Sequence, residues 1–100
     1  MSYSFTNLNK SKSFNQNVDS TLISLSSQEC SEVIIVNRSG VDIKVFDLNN
    51  FDSSNAFLLE ADDSFVFRGL TNSDQISAQT LSGSGTIYYR TQFFSITPSR

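Results

Sequence analysis

From Thr21 onward the chain alternates short apolar runs with turn residues, and no run keeps the three-to-four-residue period of an amphipathic helix. Leu22-Ile23-Ser24-Leu25 is a first short run. Glu32-Val33-Ile34-Ile35-Val36-Asn37 is apolar at both odd and even positions, the pattern of a central strand covered on two sides. Ser39-Gly40-Val41-Asp42 then links it to the alternating Ile43-Lys44-Val45-Phe46, and the shortness of that link predicts a hairpin. Ala56-Phe57-Leu58-Leu59 follows a polar loop over 49–55, and Glu60-Ala61-Asp62-Asp63 turns the chain into Ser64-Phe65-Val66-Phe67-Arg68. Beyond the turn-rich 69–74, Ile76 and Ala78 alternate with polar residues and point inward. Ser82-Gly83-Ser84-Gly85 reads as a flexible hairpin tip before the longest run, residues 86–94. There Ile87, Tyr89, Thr91 and Phe93 share one face, and Tyr88, Arg90, Gln92 and Phe94 the other. About seven short strands, spaced roughly 8–12 residues apart, predict an all-β antiparallel sandwich of jelly-roll or immunoglobulin-like type.

The first twenty residues differ. They are polar, with Tyr3, Phe5, Leu8 and Phe14 set singly among Ser, Asn and Lys. Tyr3 and Phe5, two apart, suit an extended segment with both rings on one side. A solvated tail gains nothing from such residues, so residues 1–20 are expected to form an extended N-terminal arm. It would lie on another surface or on its own domain, with residues 21–97 forming the sandwich. Pro98 is expected to end the last element.

Composition sharpens this picture. The chain has 100 residues, 38% of them hydrophobic and 17% charged, against roughly 45–50% and about 25% in average domains. Ser, Thr, Asn and Gln fill the gap, and Ser and Asn are poor helix formers because their side chains compete for the backbone. Nine phenylalanines argue for a folded core rather than disorder. A net charge of -3 with scattered basic residues disfavours phosphate backbones and anionic membrane surfaces as partners. No stretch approaches the roughly 18 apolar residues of a membrane span. The residues after Met1 do not resemble a secretory signal, so synthesis in a cytoplasm is expected. Cys30, the single cysteine, permits no internal disulfide and is expected to be a reduced core residue.

Candidate chemistry is sparse. Without histidine the chain has no Ser-His-Asp or Cys-His nucleophile system. One cysteine cannot complete a structural zinc site. Ser–Lys pairs carry no information in a chain so rich in serine. Asp47, Asp52, Glu60, Asp62 and Asp63 fall at strand ends, where oxygen ligands could meet a Ca²⁺ ion; the plainer reading is solvated turn carboxylates. Asp62-Asp63 makes a poor glycosidase pair. No cofactor, metal or catalytic residue is therefore expected. Tyr88 and Arg90, on the face opposite the inward Tyr89, are residue types enriched at interface hot spots. An exposed cross-strand aromatic pair is the alternative.

The stretch Ala56–Asn72 (AFLLEADDSFVFRGLTN), followed by Gln75-Ile76-Ser77-Ala78 and Ser82-Gly83-Ser84-Gly85-Thr86-Ile87-Tyr88-Tyr89-Arg90-Thr91-Gln92, resembles a recurrent phrase of small structural proteins in tailed-bacteriophage virions. The resemblance spans about residues 32–94 and carries no catalytic or ligand motif. It implies a decoration, or cement, protein on the capsid exterior, a homo-oligomer or multicopy assembly bound to the major capsid protein. Contact residues would then be Tyr3, Phe5, Leu8, Phe14, Tyr88 and Arg90. A receptor- or glycan-binding module at a fibre tip is the alternative, with Tyr88, Tyr89, Phe51, Asn49, Asn50 and Asp52 supplying a sugar platform.

Overall fold

In the computed structural model, residues 2–7, 11–47 and 56–99 are described, the first and the last six of them by backbone and register alone. Leu8 and the loop residues Asn49, Asn50, Phe51 and Asp52 lie outside the described residues. Among the described residues ten strands form: β1 (Ser2–Asn7), β2 (Lys12–Val18), β3 (Ile23–Ser24), β4 (Glu32–Asn37), β5 (Ile43–Phe46), β6 (Phe57–Leu59), β7 (Ser64–Arg68), β8 (Ser77–Thr80), β9 (Gly85–Gln92) and β10 (Phe94–Ser99). A single 3₁₀ turn, Ser73–Gln75, interrupts them among the described residues.

Two four-stranded antiparallel sheets, ordered β2-β9-β4-β7 and β3-β8-β5-β6, pack face to face. The pairs β2–β9, β3–β8, β4–β7 and β5–β6 are nested, as if one long antiparallel ribbon had been folded over on itself. That is the double-sheet order of a jelly roll, and it decides between the two sandwich types the strand pattern allowed. One consequence overturns a local expectation. The Ser39-Gly40-Val41-Asp42 link joins β4 and β5, which lie in different sheets, so it is an inter-sheet crossing and not a hairpin. Ser82-Gly83-Ser84 likewise carries the chain from β8 in one sheet to β9 in the other. Short links look alike in sequence whether they reverse a strand within a sheet or step across the core.

The alternation of each strand builds the core. Val33 and Ile35 of β4, Ile87 and Tyr89 of β9, Val18 of β2 and Phe67 of β7 meet Ile43, Val45, Leu59 and Ala78 of the second sheet. Leu25, Cys30, Leu70 and Ile76, from the connections, close one end. At roughly 1.5–3 kcal/mol for each large side chain taken out of water, these residues dominate the favourable side of folding. At the open side of the sandwich, Phe57, Phe65 and Phe67 pack ring to ring, with centroids 4.4–5.7 Å apart.

Two polar hubs fix the connections. Asn37, fully buried, donates from Nδ2 to the carbonyls of Val41 (2.8 Å), Leu59 (3.0 Å) and Glu60 (3.1 Å). Its Oδ1 accepts from the Ser39 amide and hydroxyl. Asn72 caps the 3₁₀ turn, its Oδ1 accepting from the Asp74 and Gln28 amides, while Gln75 Oε1 accepts from the Asn72 amide at 3.2 Å. This reciprocal capping box satisfies donors that the turn would otherwise leave unpaired.

The expected arm boundary moves. Residues 12–18 are an edge strand of the sandwich, with Val18 buried and Phe14 packed against the core. What remains of the arm is β1, and it is not single: it pairs antiparallel with β10 from Ser2↔Ser99 to Asn7↔Phe94. Pro98 sits inside that strand, opposite Tyr3, rather than ending the last element. The jelly roll makes its first and last strands neighbours, so the two chain ends leave the body side by side and continue as a two-stranded ribbon.

Candidate interaction face

The outer face of the β2-β9-β4-β7 sheet carries the exposed half of the predicted site. Register sets Ser13, Arg90, Ile34 and Val66 in one row across the four strands, and Asn15, Tyr88, Val36 and Ser64 in the next. The central strand β4 was expected to be covered on both sides. In a two-layer sandwich only one side can be: Val33 and Ile35 face the second sheet, while Ile34 and Val36 stand half-buried on the outer surface. With Tyr88, 49% exposed, they form an apolar strip that no other layer covers among the described residues. The strip lines a shallow groove of about 420 Å³ bounded by Ser13, Ile34, Val36, Tyr88 and Arg90, with the edges of Phe14 and Tyr89 beside them.

Arg90 closes the polar side of the groove. Its Nη1 donates to Ser13 Oγ at 3.1 Å, across the β2–β9 pair, and among the described residues no carboxylate pairs with it. The guanidinium keeps most of its donors for a partner. In the neighbouring row, Glu32 and Arg68 form an ion pair at 3.3 Å, the Arg68 side chain exposed and that of Glu32 largely covered.

The structure sorts the remaining predicted residues differently. Phe14 stacks on Tyr89, ring centroids 5.0 Å apart and 14° from parallel, and packs against the core; only partly buried, it also lines the groove beside Ser13 and Arg90. Tyr89 is 3% exposed and its hydroxyl accepts from the Ser26 amide at 3.1 Å, so it offers no stacking surface to a sugar. Tyr3 and Phe5 lie on β1, opposite Pro98 and Ile96. Ile34, Val36 and Val66 were missed by sequence reasoning. The signal was present, because a doubly apolar strand and a two-layer sandwich are incompatible unless one apolar face is left on the surface.

Elsewhere, no three of His, Cys, Asp and Glu come together among the described residues. Asp62 adopts φ 67°, a turn conformation open to Asp more than to most residues, and lies 3.5 Å from Arg38. Cys30 is buried, and burial, with the Asp74 carboxylate adding to it, pushes its thiol up to about 11; it stays a neutral, unreactive thiol. No helix among the described residues is long and apolar enough to cross a membrane. Comparison with known proteins finds no matching family model, no curated protein similar to the chain and no solved structure that matches it.

Proposed function

We propose that this protein is a non-enzymatic structural component of a tailed-phage virion. In this reading it docks on the capsid exterior through the outer face of β2-β9-β4-β7 and stabilises the shell as a decoration protein. The apolar strip of Ile34, Val36 and Tyr88, flanked by Arg90, which pairs with no carboxylate among the described residues, carries the reading. It combines an aromatic anchor with a guanidinium, the residue types that dominate interface energies, on a surface otherwise poor in charge. The likeness of residues 32–94 to small phage virion proteins supplies the shell as the partner. Jelly rolls recur in viral capsid domains, an association of architecture and not of mechanism. Many copies of a modest contact stabilise a shell by mass action, because each binds the assembled form.

The test is co-sedimentation of the purified protein with shells assembled from the major capsid protein encoded in the same genome. Saturable binding is expected, with Tyr88→Ala and Arg90→Glu each weakening it at unchanged melting temperature. Absence of binding to assembled shells, or equal binding by the double variant, overturns the proposal. Truncation is informative only outside β2: removing residues 1–20 would strip an edge strand and Val18 from the body.

A further inference from the structure

Strand β7 ends its sheet: β4 pairs with it on one side, and no strand pairs with it on the other among the described residues. The ladder tells which of its backbone groups this leaves free. The Asn37 amide donates to the Asp63 carbonyl at 2.8 Å, and antiparallel partners alternate between bonded and non-bonded pairs. With the register Ile35↔Phe65 and Val33↔Phe67, Phe65 and Phe67 are bonded to β4. Ser64, Val66 and Arg68 therefore turn their N–H and C=O groups to the outer edge. Devices that usually blunt such an edge are missing: β7 holds no proline, no lysine and no bulge in its pairing with β4. Its inner flank is apolar and open to solvent. Phe65 is 42% exposed, and Phe57, which packs against it from edge strand β6 of the other sheet, is 38% exposed.

We infer that this edge takes β7 of a second copy, added antiparallel about a two-fold axis at Val66. Self-complementarity selects that occupant. With the axis at Val66, each Val66 faces its own counterpart and Ser64 faces the partner's Arg68. All three free N–H and all three free C=O groups of each copy then find bonds, whereas a shift of two residues leaves some unmade. Phe65 stands opposite the partner's Phe67 in a non-bonded pair, where Cα atoms approach to about 4.5 Å and aromatic side chains reinforce a sheet. The charges agree with the same direction. Asp62 and Asp63 lead into the strand and Arg68 ends it, so antiparallel addition brings each basic end to the other's acidic turn, and parallel addition would set like beside like. Arg68 engages Glu32 through Nε and is 78% exposed, which leaves its other donors for the second chain. An isologous contact of this kind closes at two copies. It fuses two four-stranded sheets into one and sets both Tyr88–Arg90 grooves on one continuous outer surface, so that paired contacts reinforce each other. The inference is independent of what that surface binds.

Amide hydrogen exchange of the full chain at rising concentration reads the edge directly. The Phe65 and Phe67 amides should be protected throughout, and those of Ser64, Val66 and Arg68 should gain at least about tenfold protection as dimer forms. Sedimentation over the same series should show monomer and dimer. Val66→Lys sets like charges across the axis and should give a monomer with the thermal transition of the body unchanged. Val66→Cys should oxidise to a covalent dimer at least about tenfold faster than Ser13→Cys on the opposite edge strand β2, because a disulfide needs close Cα atoms; buried Cys30 does not interfere. A monomer at every concentration up to about 1 mM, a species larger than a dimer, unchanged exchange at the three edge amides, a dimer that survives Val66→Lys, or equal cross-linking of the two cysteine variants overturns the inference.

Discussion

Replacing Asn37 with leucine keeps a side chain of similar size at a fully buried position and removes every polar contact it makes. Nδ2 serves the Val41, Leu59 and Glu60 carbonyls with two protons, and Oδ1 accepts from the amide and hydroxyl of Ser39. Both Nδ2 bonds and the acceptor of the Ser39 amide are therefore lost, while the Ser39 hydroxyl keeps the Val41 carbonyl at 2.9 Å. At a net contribution of about 1 kcal/mol for each lost bond the sum is about 3 kcal/mol. Glu60 is exposed and Val41 only partly buried, so water can reach those two carbonyls again. Leu59 is buried, and its carbonyl bears the full cost. We expect a loss of about 2–3 kcal/mol, against a total of about 5–15 kcal/mol for a domain. The melting temperature should drop by about 4–8 °C for each kcal/mol in a domain of this size. Urea unfolding followed by tyrosine fluorescence measures it, as a lower midpoint at constant slope. A loss below about 1 kcal/mol would refute the assignment of Asn37 as the hub tying the β4–β5 link to the β6–β7 turn. Asn37→Asp extends the test. It keeps the acceptor but points a carboxylate at three carbonyls, so its folded-state pKa is raised, and stability should recover as pH falls and the carboxyl regains a proton to donate.

Two further outcomes follow from the geometry. Gly85→Ala sets a Cβ 2.5 Å from the Ser39 Cα and in overlap with the Ser39 carbonyl oxygen, both backbone atoms that cannot swing away. It should cost about 3 kcal/mol, measurable by thermal unfolding. Gly83→Ala, whose Cβ meets only Val41 Cγ1 at 3.7 Å, should cost just the strain of φ +77°, about 1–2 kcal/mol; equal costs would show that Gly85 is not a point of close approach. For Cys30, the folded thiol is raised from 9.0 to about 11. Its stabilising contribution is thus present below pH 9.0 and lost as pH rises through about 11. Native protein should resist alkylation near neutral pH and react once unfolded. The fall in stability above pH 9.0 should be shallower in Cys30→Ala, and an identical pH profile would refute the assignment.

The candidate face divides along the same line as the fold. Alternation alone separated Tyr88 and Arg90 from Ile87, Tyr89 and Thr91, because neighbours on a strand point to opposite sides. The groove between Tyr88, Val36 and Ile34 was not readable, because it joins β9 to β4, strands nearly fifty residues apart whose adjacency is a matter of topology. The place of Phe14 was unreadable for a related reason. Isolated aromatics in a polar segment look like arm contacts, and only the β2–β9 register shows the Tyr89 ring waiting for it.

The sequence by itself determined the class and most strand positions: an all-β chain, alternating, rich in hydroxyl and amide side chains and without histidine. Those properties are local, set by periodicity of two, by turn residues and by composition. Only the tertiary structure decided which links reverse a strand and which cross the core, that the N-terminal segment is half sandwich and half paired ribbon, and that the apolar outer side of β4 lies uncovered on the surface. These depend on which strands become neighbours. Nested pairing brings the first and last strands of the sandwich together, and the backbone hydrogen bonds that hold them are chemically identical for every possible pair.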